Sequence, residues 1–112
     1  MSTEMVVKVF SKNVTKEYVV SNPFQGVKHF FRDIRLGKIG PDQLGLIGFW
    51  ERSDGEKIPF RIPPALYRLG MLTFGEYRET LGQIAEFTDE ELKALAERDA
   101  WMVEEVEEEE MK

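Results

Sequence analysis

The first apolar stretches of the chain alternate between apolar and polar positions, the pattern of a half-buried β-strand. Segments 5–10 (MVVKVF) and 15–20 (TKEYVV) are rich in valine, and the residues between them can turn. We therefore predict a β-hairpin with Lys12 and Asn13 as its loop. The cross-strand pairs expected in that register are Val7 with Tyr18, Met5 with Val20, and Lys8 with Glu17.

The apolar period changes to that of a helix in the segment SNPFQGVKHFFRDIRLG, residues 21–37. Ser21 or Asn22 suits the N-cap, Pro23 suits the first helical position, and Gly37 is typical of a C-terminal stop. At about 100° per residue, one arc of this helix is apolar and carries Phe24, Val27, Phe30, Phe31 and Ile34. The shoulder of that arc is basic and carries Lys28, Arg32 and Arg35.

A second hairpin is predicted in LGLIGFWERSDGEKIPFRI, with Asp54 and Gly55 in its turn. An even-length loop would place Phe49 opposite Phe60 on the core side. The exposed side of the hairpin would then carry Trp50, Arg52, Lys57 and Arg61. Pro59 cannot donate to a ladder, so its strand is expected at an edge of the sheet.

Three more helices are predicted in the second half of the chain. Residues 64–69 form a short one halted by Gly70, and capping boxes start the other two, Thr73 with Glu76 and Thr88 with Glu91. The buried stripe of the middle helix would be Phe74, Tyr77, Leu81 and Ile84. The order ββαββααα predicts an α+β fold, in which two hairpins form a four-stranded antiparallel sheet packed with helices, plus an acidic C-terminal helix.

The last helix has an apolar stripe that could dock on the body of the protein or on a second copy. Asp99 lies near the centre of this stripe, and Trp101 points the opposite way. A lone ionised aspartate there is costly unless an arginine, a lysine or a symmetry partner satisfies it. Both docking modes stay open at this point. Docking on a second copy gives a homo-oligomer, which we expect to form through Leu92, Leu95, Asp99, Trp101, Met102 and Val106.

The net charge of -6 conceals an uneven distribution along the 112 residues. Residues 1–85 carry 12 basic and 9 acidic side chains, whereas residues 86–112 carry 3 and 12. We interpret this as a single domain in which 1–86 is a mildly basic α+β body and 87–112 an acidic helix and tail. Such asymmetry favours a body that binds polyanions. A solvated helix that keeps the protein soluble would show the same charge pattern.

Catalytic chemistry finds little support in the residue types present. The chain has no cysteine and one histidine, His29, which excludes disulfides, zinc thiolate sites and most catalytic triads. His29 and Asp33 have helical i, i+4 spacing, but no motif places a nucleophile beside them. Without a phosphate-binding loop or metal-ligand spacing either, we expect no enzyme activity, no cofactor and no metal.

The expected location is the cytoplasm. The N-terminus has no export signal, and no apolar run approaches the roughly 18 residues of a membrane span. We therefore expect no membrane partner. Abundant Glu, Lys and Arg without Cys is typical of heat-stable intracellular proteins.

Sequence-independent binding of single-stranded DNA or RNA fits the residues better, because it needs only cations interleaved with aromatic rings. The predicted nucleic-acid-binding residues are Lys28, Phe31, Arg32, Arg35, Trp50, Arg52, Lys57, Arg61, Tyr67 and Arg68. Core packing is the ordinary role of Phe31 and Tyr67, and long basic side chains often cover apolar surface. The alternative function is a protein adaptor or assembly module that uses the acidic C-terminal helix and Trp101.

Several segments resemble the archaeal single-stranded DNA-binding proteins called ThermoDBP and their related proteins. These are NPFQGVKHFF, GLIGFWE, IPFRIPPALYRLG and the charged terminal helix, in the same ββαββααα order. The resemblance implies a thermophilic archaeal protein with helices on a four-stranded sheet. It further implies an aromatic cleft, bordered by basic residues, that binds single-stranded DNA or RNA, and self-association through the C-terminal helix. One departure is Asp99, which interrupts the seam and argues against a long zipper.

Overall fold

The computed structural model describes residues 4–103, which form an α+β fold as predicted. The strands are β1 (Met5–Ser11), β2 (Val14–Val20), β3 (Ile47–Glu51) and β4 (Lys57–Arg61), and the helices are α1 (Pro23–Arg35), α2 (Pro63–Arg68), α3 (Phe74–Leu81) and α4 (Asp89–Arg98). All neighbouring strands are antiparallel, in the order β2-β1-β3-β4. Within residues 4–103, no helix is long and apolar enough to cross a membrane.

The first hairpin has the predicted register. Val7 pairs with Tyr18, Met5 with Val20 and Lys8 with Glu17, and the loop is Lys12 and Asn13. Val7, Val9 and Val20 point into the core, whereas Val6, Lys8 and Val19 face the opposite side. One side of this hairpin is therefore left for solvent or a ligand.

Helix α1 packs on the core side of the sheet. The Asn22 side chain accepts a hydrogen bond from the backbone N–H of Gln25, and Gly37 has a φ of 80° beyond the helix end. The buried residues of the predicted apolar arc are Val27, Phe30, Phe31 and Ile34; Phe24, the remaining member, is 53% exposed. Gly26 allows the close approach, because a Cβ there would lie 2.4 Å from Val7 Cγ1.

The register predicted for the second hairpin is wrong by one residue. Phe49 pairs with Pro59 and Trp50 with Ile58, so Phe60 faces Gly48 rather than Phe49. The turn explains the difference, because Arg52 N–H donates to the Glu56 carbonyl at 2.7 Å and encloses a three-residue loop. Gly55 occupies the left-handed position of that loop, with a φ of 89°. Strand β4 is an edge strand, as Pro59 predicted.

The shift of one residue exchanges the two sides of the hairpin. Phe60 is buried and forms edge-to-face contacts with Phe30 and Phe31 at centroid distances of 6.0 and 5.7 Å. A Cβ at Gly48 would lie 2.5 Å from Phe60 Cζ, so the ring occupies the space above the glycine. Trp50 therefore lies on the core side, and Phe49 lies on the opposite side.

Helices α2, α3 and α4 form a second, smaller apolar cluster of Tyr77, Leu81, Leu92 and Ala96. Both predicted capping boxes are present, with Thr73 accepting from Glu76 N–H and Thr88 from Glu91 N–H, each at 3.1 Å. The predicted member Ile84 lies beyond the end of α3 and is exposed.

The chain turns back into the main core after α4. Helix α4 ends at Arg98, and Met102 and Val103 are buried with the sheet and α1. Of the predicted oligomerisation residues, Leu92, Asp99 and Met102 are buried within the protomer, and Leu95 and Trp101 are half-buried. The described part of the stripe thus docks on its own body. Val106 and the acidic tail lie outside the described residues.

Candidate nucleic-acid interface

Within residues 4–103, helices α1 to α4 leave one side of the sheet uncovered, and we call this side the outer face. Its exposed apolar side chains include Val6 and Val19, which are 62% and 64% exposed. By strand alternation and register, the outer face consists of Val6, Lys8, Phe10, Thr15, Glu17, Val19, Ile47, Phe49, Glu51, Lys57, Pro59 and Arg61. Antiparallel sheets commonly leave such a side accessible, but usually with polar residues.

A row of alternating charge crosses all four strands of the outer face. Glu17 of β2 is opposite Lys8 of β1, Lys8 is opposite Glu51 of β3, and Glu51 is opposite Lys57 of β4. Lys8 Nζ lies 4.0 Å from a Glu51 carboxylate oxygen, and both side chains are substantially exposed. Such pairs contribute about 0–1 kcal/mol each, so an anionic ligand can take over the lysines at small cost.

The neighbouring row is aromatic at its centre. Phe10 and Phe49 are opposite each other on the two central strands, with centroids 5.8 Å apart and ring planes at 28°. Lys57 Nζ lies 5.2 Å from the Phe10 ring centroid. Both rings are half-buried, so each presents part of its surface on the open side. Flat rings beside a cation are the arrangement on which unpaired bases stack.

The sheet also contains an opening between β1 and the second hairpin, which we call the gap. Strands β1 and β3 pair at three positions, Lys8 to Phe10, and separate beyond Glu51. The resulting cavity measures about 260 Å³ and is lined by Met5, Val6, Val7, Pro23, Trp50, Glu51, Arg52 and Ser53. Trp50 forms one wall of the gap. Its ring lies edge-to-face with the Phe24 ring at a centroid distance of 6.0 Å, and the Phe24 ring lies edge-to-face with Trp101 at a centroid distance of 5.4 Å.

The four predicted binding residues of α1 lie behind the sheet. Phe31 is fully buried and Lys28 is 6% exposed, so neither presents a free surface to a base or a phosphate. Arg32 and Arg35 are half-buried, and Arg32 Nε lies 4.0 Å from the Asp33 carboxylate. The basic shoulder of α1 therefore does not border the outer face.

The predicted residues on α2 and in the second hairpin have partners within the protein. Tyr67 stacks on Tyr77 with a centroid distance of 5.0 Å and a 10° angle, and Arg68 donates to Glu97 at 3.2 Å. Arg52 flanks the three-residue hairpin loop, 3.5 Å from the carboxylates of both Asp54 and Glu56. Trp50 and Arg52 line the gap, whereas Lys57 is on the outer face. The ten residues thus do not form one cleft.

Arg61 belongs to the outer face by register, but its guanidinium binds Asp99. Nε and Nη2 each donate to one carboxylate oxygen at 3.1 Å. Asp99 is 5% exposed, so this bidentate pair satisfies the aspartate that the sequence places in an apolar stripe. Burial, and secondarily the charge of Asp99, raises the pKa of the nearby Tyr77 phenol to about 12.

A second polar cluster, partly buried, lies around Tyr18 and Asp33. Tyr18 O–H donates to the Asp33 carboxylate at 2.7 Å, and the Asp33 carbonyl accepts from the backbone N–H of Lys38. Burial, and then the hydrogen bond to Asp33, raises the pKa of Tyr18 well above its usual range. The His29 ring lies next to the Tyr18 ring, with the two ring centroids 5.9 Å apart. Residues 4–103 contain no group of three or more side chains that could bind a metal ion.

The sequence prediction missed Phe10 and Phe49. In β1, Phe10 lies on the same side as Lys8 and on the opposite side from Val7 and Val9. The register predicted for the first hairpin was therefore enough to place Phe10 on the outer face. Phe49 depended on the second register, which the loop length determined.

No protein-family model, curated protein or solved structure matches the chain. The resemblance to the ThermoDBP-related proteins stays a prediction.

Proposed function

We propose that this protein is a non-enzymatic single-stranded nucleic-acid-binding protein that uses the outer face of its sheet. The observation that carries the proposal is the Phe10 and Phe49 pair, which lies on the two central strands with Lys57 beside it. Two bases of an unpaired strand can stack on these rings while phosphates contact Lys8 and Lys57. This is the binding mode of several sheet-based single-strand binders.

The charge arrangement predicts the kind of affinity to expect. Lys8 and Lys57 each alternate with a glutamate in the charged row, and Arg61 is occupied by Asp99. Few phosphates are neutralised, so stacking supplies most of the binding energy, about 1–3 kcal/mol per base. Binding should therefore be nearly independent of sequence along the aromatic row and only moderately weakened by salt.

A pair of matched substitutions tests the proposal. Phe10→Leu and Lys57→Gln remove the ring and the cation of the outer face. Phe74→Leu and Lys93→Gln remove an equivalent pair on α3 and α4, where Lys93 Nζ lies 5.8 Å from the Phe74 centroid. Affinity for a fluorescent single-stranded oligonucleotide is measured by anisotropy at low salt. We expect at least a fivefold loss for the first pair and less than twofold for the second.

Two results would contradict the proposal. One is the absence of oligonucleotide binding at low salt by a protein whose circular dichroism spectrum shows an intact fold. The other is an equal loss of affinity in both pairs of variants, because that would place the binding surface elsewhere. Duplex DNA of the same sequence serves as a further control, since its bases are stacked internally and cannot reach the phenylalanines.

The second candidate function is a protein adaptor, and the apolar rim of the outer face favours it. Val6, Val19 and Ile47 are exposed on the same face as the phenylalanines, with the charged row between the two valines and the rings, and exposed apolar residues commonly mark protein interfaces. This function predicts concentration-dependent self-association or partner binding that Val6→Thr and Val19→Thr weaken. Sedimentation velocity with and without oligonucleotide distinguishes the two, because an adaptor surface would not compete with the nucleic acid.

A further inference from the structure

The gap between β1 and the second hairpin adjoins the charged row of the outer face, because Glu51 belongs to both, and the aromatic row is the next row along the sheet. Glu51 lines the gap and follows Phe49 by two positions in β3, so both side chains project to the same side of the sheet. A strand stacked on Phe49 would pass the mouth of the gap one residue pair later. A base of the same strand could therefore reach the gap.

The lining of the gap has the chemistry of a planar heterocycle site. The apolar residues of the lining are Met5, Val6, Val7, Pro23 and Trp50. The cavity of about 260 Å³ has room for one nucleobase. The polar residues of the lining are Glu51, whose carboxylate is a hydrogen-bond acceptor, Arg52 and Ser53. Apolar walls with a few placed polar groups are typical of small-ligand sites.

Glu51 decides which pyrimidine base the gap would prefer. A carboxylate only accepts hydrogen bonds, so it favours the exocyclic amino group of cytosine and offers nothing to the carbonyl that thymine and uracil carry at the same position. The neighbouring Lys8 is 4.0 Å away and exposed, which leaves carboxylate lone pairs available.

We infer that the gap is a base pocket, in which one base of the bound strand stacks on Trp50 and donates its amino group to Glu51. This inference rests on the proposed single-strand binding and gives it a specificity: cytosine is preferred over thymine or uracil at one position. A good bidentate base contact discriminates by about fivefold or more, and a single hydrogen bond to Glu51 lies at the low end of that range, so the preference is modest but measurable.

Tryptophan fluorescence reports on the pocket directly. The variant Trp101→Phe leaves Trp50 as the only tryptophan, since the chain has two. Cytidine monophosphate is titrated into this variant, with uridine monophosphate as the comparison. Oligo-dC and oligo-dT of equal length are then titrated at low salt and mildly alkaline pH. We expect cytidine monophosphate to quench Trp50 more strongly than uridine monophosphate, and oligo-dC to bind at least fivefold more tightly than oligo-dT.

The matched controls are Glu51→Gln and Glu17→Gln. Both change one unit of charge, and both residues lie opposite Lys8, one on each side of it. Only Glu51 lines the gap. Glu51→Gln should bring the ratio of oligo-dC to oligo-dT affinity close to one, because an amide can both donate and accept. Glu17→Gln should leave that ratio unchanged, although it can raise both affinities by removing a negative charge.

The outcomes separate the pocket from the proposed function. Oligonucleotide binding that depends on Phe10, with no quenching of Trp50 and no dC preference, would overturn the pocket and leave the single-strand function standing. Quenching by cytidine monophosphate without oligonucleotide binding would support the pocket and overturn the function. A dC preference that survives Glu51→Gln would overturn the assignment of Glu51, and the absence of every response would overturn both proposals.

Discussion

Replacing Arg61 by leucine should lower the free energy of unfolding, because the buried Asp99 carboxylate then loses its partner. Asp99 is 5% exposed and accepts two hydrogen bonds of 3.1 Å from the guanidinium. Breaking a fully buried ion pair costs about 3–5 kcal/mol, and the Arg61 side chain is 40% exposed, which reduces the figure. We therefore expect a loss of about 2–3 kcal/mol in the free energy of unfolding.

Urea unfolding followed by circular dichroism measures this loss, with a constant m-value as the check on two-state behaviour. Arg52→Leu is the matched control, since Arg52 also meets two carboxylates, at 3.5 Å, but all three side chains are at least half exposed. It should change the free energy of unfolding by less than about 0.5 kcal/mol. The double variant Arg61→Leu with Asp99→Asn should recover part of the loss, giving a coupling energy of about 1–2 kcal/mol.

The reasoning fails if Arg61→Leu and Arg52→Leu destabilise the protein equally. It also fails if the double variant loses the sum of the two single effects, because independent residues would then be involved. A large loss of oligonucleotide affinity in Arg61→Leu at unchanged stability would assign Arg61 to the ligand instead of to Asp99.

Three further predictions concern the packing of Gly48, the tyrosines Tyr18 and Tyr77, and the salt dependence of binding. Gly48→Ala should cost about 1–3 kcal/mol in urea unfolding, since a Cβ would meet the Phe60 ring at 2.5 Å, whereas Gly75→Ala, with nothing closer than 3.9 Å, should be neutral or slightly stabilising. The free energy of unfolding should fall between pH 10 and about 12. In the unfolded chain the phenols of Tyr18 and Tyr77 ionise near pH 10, whereas burial raises the pKa of both in the folded protein and keeps them protonated. The expected slope is at most about 1.4 kcal/mol per pH unit for each tyrosine, less where solvent screens the phenol, and denaturation series across that range would show a flat profile if the reasoning is wrong. Oligonucleotide titrations at several salt concentrations should give a log–log slope of about -1 to -2, flattened by roughly 0.7 in Lys57→Gln; a slope as steep as -5 would require cations outside the outer face.

Local signals predicted the elements well because each depends on a few neighbouring residues. The caps at Asn22, Thr73 and Thr88 and the left-handed Gly37 and Gly70 are set by hydrogen bonds within one turn. The first hairpin was also predictable, since a two-residue loop leaves one register.

The candidate site was harder to predict because it depends on the length of the loop between β3 and β4, where a difference of one residue changes the register. Asp54 and Gly55 are compatible with loops of two, three or four residues, and the odd length turned Trp50 inward and Phe49 outward. The partner of Asp99 was equally hidden, because Arg61 is 38 positions away along the chain. Pairings across such distances follow from the packed fold and not from local pattern.

The short ladder between β1 and β3 has a mechanical consequence. Its three paired positions join a hairpin with seven pairs to a hairpin with five, so the centre of the sheet is its weakest line. Native-state hydrogen exchange should show amides at this seam opening before those within either hairpin. The two halves of the sheet would then move relative to each other about helix α1, and the contacts that pack each half on this helix, Gly26 against Val7 and Phe30 against Phe60, would limit how far the halves separate.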